Sequence, residues 1–469
     1  MTSHVSEAMD NPLTITTTLN QATIPANVSA RLVYVLLEIQ AGNIATAPMA
    51  LPVNLNIVVD KSDSMCIPIL SQKQFEELAR MGAASETTVD GIAVWHFDNV
   101  PASYKIDAPR NVDFVKRALH SALEKLDGHD RFALVAFARE ARVLIEQQSG
   151  QNKRALLQAI DQLDSLELGN ETFMATGMQE GFAQAQRGFS RDMVNRLIVL
   201  TDGFTLDAPQ CQFIARQAAQ AGISISTLGL GVEFNEELLI SIADASGGNA
   251  YFIHDPTEIP AVFDRELSGA QNIALRDLDL KMRLMQGVEL RRAHRVQPII
   301  TDLGALPLAD RALDLPLGEL GRGGSLALLF ELLVPPRIPG AYQLAHLIVE
   351  FDQPSASPDR QKMRQDCIIT FVEKPTLAPL DSRVMNIVEK VSAFKLQTRA
   401  LEDAARGDVS GATQKLKAAA TRLINMGEND LAQIALNEAA NLEQRGQMSA
   451  AGTKRLRYDT RQLTRKLDE

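Results

Sequence analysis

The chain has 469 residues, of which 45% are hydrophobic, so it is long enough for roughly two to four domains with buried cores. Its formal net charge of −11 argues against bulk attraction to nucleic acid. The cysteines Cys66, Cys211 and Cys367 are widely separated and lack paired spacing, which predicts free thiols in a reducing compartment. Residues 1–20 lack the pattern of a signal peptide, and no run approaches the ~18 apolar residues of a membrane span. We therefore expect a cytoplasmic, bacterial-type protein.

The N-terminal region combines a polar start with β-rich runs. Residues 1–11 are predicted to be disordered, and strands are predicted at 13–20 and 28–40. We expect these strands, within residues 12–50, to belong to a β-sandwich whose other strands come much later in the chain.

Residues 52–258 alternate strand and helix signals. This alternation predicts an α/β domain with a doubly wound, mostly parallel sheet. In such folds ligands bind at the carboxyl ends of the strands. Strands are predicted at 54–60, 132–138, 142–147, 196–201, 224–229 and 250–254, and helices at 112–126, 153–163, 176–187, 209–221 and 236–245.

Residues 67–111 are an insertion between the first strand of this domain and its next helix. A helix is predicted at 71–81, and a turn followed by a strand at 90–97, which contains the only tryptophan, Trp95. The segment is either a lid or ligand platform over the rim of the domain, or a surface loop without a role.

Two further regions follow the α/β domain. Residues 271–375 are predicted to complete the β-sandwich, because Leu278, Leu280, Met282 and Leu284 alternate as one face of an antiparallel strand does. Residues 380–469 are predicted to form a small helical bundle. The sandwich strands are expected at 277–284, 288–292, 325–335, 342–352 and 366–373, and the helices at 384–406, 409–426, 429–445 and 450–467.

Polar side chains follow three predicted elements of the α/β domain. Asp60, Ser62 and Ser64 leave the first strand, Thr172 precedes a helix, and Asp202 follows a later strand. Mg²⁺ prefers hard oxygen ligands and retains some of its waters, so one or two carboxylates with hydroxyls suit it. The three loops together predict one site for Mg²⁺, with Mn²⁺ or Ca²⁺ as alternatives.

This pattern resembles the metal-ion-dependent adhesion site of von Willebrand factor A (vWA) domains, the module shared with integrin I domains. The resemblance covers residues 52–258. It implies that Ser62, Ser64 and Thr172 offer hydroxyls to the ion, while Asp60 and Asp202 act mainly through water. The sequence reads Gly-Asn-Glu-Thr before and at Thr172, where the family usually has Gly-Gly-Thr.

Two functions are consistent with such a site, and neither is enzymatic. The first is a scaffold or adaptor that captures an acidic residue of a partner protein through the bound ion. The second, which the resemblance implies, is an accessory subunit of an AAA+ ATPase of the MoxR or chelatase type. A hydrolase is less favoured, because no general base is suggested beside Ser62 and Ser64. The chain also lacks a P-loop and a dinucleotide fingerprint.

Overall fold

The computed structural model describes residues 12–27, 29–42, 51–83, 85–89, 92–96, 108–231, 234–304, 306–353, 360–373 and 379–465. The chain divides into two compact units. Residues 52–271 make one unit, and the segments before and after them make the other. The disorder predicted for residues 1–11 lies outside the described residues.

The chain begins with three strands of the second unit. The strand β3 is long and lies between β1 and a later strand, with β1 antiparallel to it. The strands are β1 (Leu13–Leu19), β2 (Thr23–Pro25) and β3 (Arg31–Ala41).

The α/β unit follows, and it is built around a six-stranded sheet. Its strands are β4 (Val53–Asp60), β5 (Ser85–Val89), β6 (Ile92–His96), β7 (Arg131–Phe137), β8 (Ala141–Ser149), β9 (Val194–Thr201), β10 (Ser224–Leu230) and β11 (Ala250–Ile253). Of these, β5 and β6 pair only with each other, in a separate two-stranded sheet. Its helices are α1 (Gln72–Arg80), α2 (Asn111–Lys125), α3 (Lys153–Asp161), α4 (Met174–Arg187), α5 (Ala208–Gln220), α6 (Glu236–Ser246) and α7 (Ile259–Gln271).

The topology of the sheet creates a crevice at the ends of β4 and β9. The strand order is β11-β10-β9-β4-β7-β8, and every neighbouring pair is parallel except β7 with β8. Every residue of β4 and of β9 is buried, as expected for strands covered on both faces. The chain passes from β4 to β7 on one side and returns to β9 on the other. The carboxyl ends of β4 and β9 therefore lie at the switch point where ligands bind in doubly wound folds.

Two features of this unit differ from the sequence expectation or extend it. The unit continues to residue 271 through α7, which was not predicted and which packs against α2. Within the insertion, α1 lies where a helix was expected, and β5 and β6 form an antiparallel hairpin with Trp95 on β6. The role of the insertion as a lid or platform stays a prediction.

The remaining strands complete two five-stranded sheets. One sheet has the order β1-β3-β16-β13-β14 and the other β15-β12-β17-β18-β2. The edge strand β15 was not predicted, because its sequence contains Pro316 and two glycines, which weaken a strand signal. The strands are β12 (Ile273–Leu284), β13 (Glu289–Gln297), β14 (Thr301–Asp302), β15 (Ala312–Gly321), β16 (Ser325–Val334), β17 (Gly340–Asp352) and β18 (Gln361–Val372).

The first of these sheets is buried on both faces. Alternate residues of β3 and β16, such as Val35 and Phe330, belong to the core of the sandwich. The residues between them, such as Leu36 and Leu329, pack in a second core with the C-terminal helices. This two-sided burial explains why both strands are nearly continuous apolar runs.

The C-terminal helices form a bundle on that sheet. They are α8 (Ser382–Ala405), α9 (Val409–Asn425), α10 (Asn429–Arg445) and α11 (Ala450–Arg461). Asp408 caps α9 by accepting a hydrogen bond from the Gly411 amide at 2.9 Å. Gly407 and Gly427, both at φ 82°, make the turns after α8 and α9, where a side chain would be strained.

The predicted fold class is confirmed. Along the sequence, the segment that forms the mostly parallel α/β sheet lies between the strands of a β-sandwich, and a helical bundle follows the sandwich. Among the described residues, none of the helices is both long and apolar enough to cross a membrane.

Candidate metal centre

Asp60 occupies the last position of β4 and is fully buried. Its carboxylate is held on both sides, because Oδ1 accepts from the Ser62 amide at 2.8 Å and Oδ2 accepts from the Thr201 hydroxyl at 2.6 Å. Thr201 ends β9, the neighbouring strand, so the contact follows from the register of the sheet. The carboxylate is thus fixed at the switch point of the sheet.

A chain of hydrogen bonds joins the loop after β4 to Asp202. Ser62 Oγ lies 3.1 Å from Ser64 Oγ, and Ser64 Oγ donates to Asp202 Oδ1 at 2.6 Å. A single 3₁₀ turn at Asp63–Cys66 follows Ser62 and folds the loop back over the end of the strand. The two acidic residues and the two serine hydroxyls consequently face one small volume.

Thr172 reaches the same place from a third loop. A Cβ built on Gly203 would lie 3.5 Å from Thr172 Oγ1, so this hydroxyl lies against the residue that follows Asp202. The backbone carbonyl of Thr172 accepts from the Thr205 hydroxyl and from the Leu206 amide, each at 3.1 Å. These bonds tie the Thr172 loop to the loop after β9. The five residues predicted from the sequence are therefore brought together.

Two residues that orient the site were not predicted from the sequence. Thr201 fixes Asp60, as described above, and Asn111 Nδ2 donates to Asp202 Oδ2 at 3.2 Å. Thr201 precedes Asp202 directly, so its position at the strand end was a usable signal. Asn111 begins α2, 91 positions away from Asp202, and nothing in its local sequence marks it.

The surroundings of the two carboxylates disfavour their charged forms. Burial and then the charge of Asp60 raise the pKa of Asp202 to about 7. Burial also raises the pKa of Asp60, although the hydrogen bonds from Ser62 and Thr201 oppose this. Within the described part of the chain, neither carboxylate forms an ion pair with Lys, Arg or His. The Lys61 ammonium, next in sequence to Asp60, contacts Cys66 Sγ at 3.0 Å.

The donor set fits a hard divalent cation. No cluster of three or more His, Cys, Asp and Glu side chains that could hold a metal occurs among the described residues. An ion at this site would therefore be held by the two carboxylates together with hydroxyl oxygens and water. Such an all-oxygen set with little protein charge suits Mg²⁺ better than the softer metals, which prefer sulfur or imidazole.

Comparison with known proteins agrees with this architecture. Residues 102–265 match the von Willebrand factor type A domain family. The chain contains a vWA domain. The match includes Thr172 and Asp202 and begins after the first loop of the site. Residues 382–466 match the Sll0103-like C-terminal alpha-helical domain, which corresponds to the bundle that follows the sandwich.

Curated relatives resemble the chain over much of its length. The uncharacterized protein sll0103 of Synechocystis is 25% identical over 315 residues, which is 66% of this chain and 74% of that protein. The uncharacterized protein YfbK of Escherichia coli is 24% identical over 247 residues, which is 50% of this chain and 40% of that protein.

Solved structures share the fold beyond the vWA domain. A von Willebrand factor type A protein from Catenulispora acidiphila is similar with a TM-score of 0.72 at 16% identity, covering 97% of this chain and 98% of that one. The ArnB paralog VWA2 from Sulfolobus acidocaldarius has a TM-score of 0.53 at 13% identity, covering 97% and 99%. At these identities the likeness concerns the fold alone.

Proposed function

We propose that the vWA domain binds a divalent cation, Mg²⁺ in the first place, at a metal-ion-dependent adhesion site. The protein would use it to capture an acidic side chain of a partner protein, as a scaffold or adaptor. The ligands would be Asp60, Ser62, Ser64, Thr172 and Asp202. The observation that carries the proposal is the pair of buried carboxylates at the switch point, neither of which is paired with a cationic side chain of the described residues. Buried charge without a partner is costly, and a cation relieves it.

The side chains are arranged to hold such an ion from one side. Because Ser64 donates its only proton to Asp202, Ser62 donates to Ser64, which leaves two lone pairs on the Ser62 oxygen and one on the Ser64 oxygen. Thr172 adds a hydroxyl from the third loop. A cation bound with so few protein charges remains electrophilic and can accept a further carboxylate. These residues would thus supply binding and orientation, and an external acid would complete the coordination.

The surroundings of the site favour a protein as the source of that acid. Phe204 and Leu206, in the loop that begins with Asp202, expose 61% and 66% of their surface. Exposed large apolar side chains beside a polar site are typical of protein interfaces. They would contact apolar neighbours of the captured acidic residue.

The proposal is for binding and not for catalysis. Among the described residues, the groups that hydrogen-bond to Asp60 and Asp202 are hydroxyls, a backbone amide and the Asn111 amide. The two carboxylates are themselves assigned to the cation, which leaves no separate general base beside it. An AAA+ ATPase remains the more specific partner implied by the family resemblance. A partner with ATPase activity in the capture experiment below would favour it.

The test combines metal binding with partner capture. Titration of the full chain with Mn²⁺, followed by electron paramagnetic resonance, should give one site in wild type that Asp60→Asn removes. Asp192→Asn is the matched control, because Asp192 is exposed and lies in the same unit. Immobilised wild type should then retain a partner in Mg²⁺ and release it in EDTA. Equal Mn²⁺ binding by wild type and Asp60→Asn, or capture that ignores EDTA, would contradict the proposal.

A further inference from the structure

A cleft in the C-terminal bundle is lined by both apolar and charged side chains. It lies between α8 and α9, where α8 begins and α9 ends, and its volume is about 1260 Å³. Apolar lining comes from Leu380, Met385, Ala418 and Met426. The charged lining residues are Glu389, Lys390, Arg422 and Glu428. The cleft therefore offers both apolar surface and a small number of charges, as ligand sites do.

Lys390 is the unusual member of this lining. Only 9% of the surface of Lys390 is exposed, yet its side chain makes no hydrogen bond or ion pair with any described residue. Burial lowers the pKa of its ammonium, and the charge of Glu428 opposes that effect without forming an ion pair. A lysine with so little exposed surface normally has a partner for its ammonium, because losing hydration is costly.

The neighbouring charges cannot serve Lys390 as they stand. Glu389 is bonded to Arg422 on α9 through Oε2, and as the residue next to Lys390 on α8 it points in a different direction from the helix. Lys395, on the same helix, shows the ordinary arrangement, since its Nζ bonds Glu331 at 2.8 Å. Lys390 thus presents an unused donor to the cleft.

We propose that this cleft binds a single carboxylate attached to an apolar body, with the Lys390 ammonium as its anchor. The carboxylate would supply the missing acceptor, and the flexible side chains of Met385 and Met426 would pack against the apolar part. Glu389 and Glu428 on the same lining disfavour ligands of higher negative charge, such as phosphates. The carboxylate belongs either to a free aliphatic acid or to an acidic side chain within a protein segment.

The first measurement uses Lys390 as its own reporter. Reductive methylation with ¹³C-formaldehyde gives each lysine a methyl resonance while keeping its charge, and Lys390→Met assigns the resonance of interest. We expect hexanoate to shift this resonance saturably and to raise its titration midpoint, and hexan-1-ol to do neither. A blocked leucine–glutamate–leucine tripeptide, compared with its glutamine analogue, tests the protein source in the same way.

The second measurement is calorimetric titration of the unmodified full chain with whichever acid responds. Lys390→Met preserves the length of the side chain and should weaken binding roughly ten- to a hundredfold, the value of a hydrogen bond between charged groups. Lys417→Met is the matched control, because Lys417 lies on α9 and pairs with Glu443 away from the cleft. Its affinity should equal that of wild type.

The outcomes separate clearly. A response to hexanoate alone identifies a free acid, and a response to the glutamate peptide identifies a protein segment; both support the proposal. A Lys390 resonance that ignores both acids, or that responds equally to the neutral analogues, overturns it. If Lys390→Met does not fold, the Lys390 resonance is assigned by elimination from the spectra of the other lysine variants. The response of that resonance in wild type then supports or overturns the proposal.

Discussion

The electrostatics of the metal centre predict that one substitution stabilises the metal-free protein while it removes metal binding. Asp202→Asn takes away the negative charge that lies closest to Asp60. The amide can still accept from Asn111 and can donate to Ser64, whose hydroxyl then accepts, so the hydrogen bonds of the site are conserved. The change therefore isolates the cost of the buried charge.

The size of the effect follows from the pKa of Asp202, which rises from 3.8 to about 7 on folding. A raised pKa means that the folded state holds the proton more tightly. Stability from this group is then full below pH 3.8 and is lost as the pH rises to about 7. At ~1.36 kcal/mol per pKa unit, ionising Asp202 costs the metal-free wild type about 4 kcal/mol by pH 8. Roughly 3 kcal/mol of this loss falls between pH 5 and pH 8.

The assay is urea unfolding in EDTA at pH 5 and pH 8, followed by the emission of Trp95, which lies in the α/β unit. Asp202→Asn should exceed wild type in free energy of unfolding, and the difference should widen by about 3 kcal/mol from pH 5 to pH 8. Mg²⁺ at a hundred times its dissociation constant should return ~2.7 kcal/mol to wild type and nothing to the variant. A difference that is the same at both pH values, or that Mg²⁺ leaves unchanged, would refute this reasoning. Asp192→Asn should behave as wild type.

Three further predictions concern the site, the insertion and the sandwich. The apparent affinity for Mg²⁺ should fall about tenfold per pH unit below pH 7, because one proton competes at Asp202; a flat calorimetric profile from pH 5 to pH 8 would argue against metal binding there. Trp95 emission should change when Mg²⁺ and then acetate are added to wild type but not to Asp202→Ala. Identical emission traces for the two proteins would show that the insertion does not respond to the site. Deleting residues 1–45 removes β1, β2 and β3, leaves an edge of β16 unpaired and should cause aggregation, whereas a soluble, cooperatively melting product would show that the sandwich does not need these strands.

Much of the candidate site could be predicted because Asp60 and Asp202 lie at strand ends. Parallel strands that are neighbours in a sheet finish at the same edge, so Asp60 and Asp202 had to lie close together once β4 and β9 were recognised. Thr172 followed from its place before a helix. Asn111 could not be predicted, because its contact with Asp202 depends on where α2 starts after the insertion.

Other parts of the fold lacked a local signal. The apolar run of β3 predicts a buried strand, but it does not reveal that one face meets the second sheet and the other meets helices from the end of the chain. The edge strand β15 contains Pro316, which is tolerated there and hides the strand in the sequence. The lack of a partner for Lys390 among the described residues is likewise a tertiary property, because it depends on the pairing of Glu389 with Arg422 from another helix.

The central claim is that Asp60, Ser62, Ser64, Thr172 and Asp202 hold one divalent cation. Anomalous diffraction from crystals of the full chain grown with Mn²⁺ tests it most directly, because it locates the ion without reference to activity or partner. We expect one strong Mn²⁺ peak within coordination distance of the Ser62 and Ser64 hydroxyls, and no such peak in crystals of Asp202→Asn. A map at saturating Mn²⁺ with no peak at this position, or with the same peak in the variant, would contradict it.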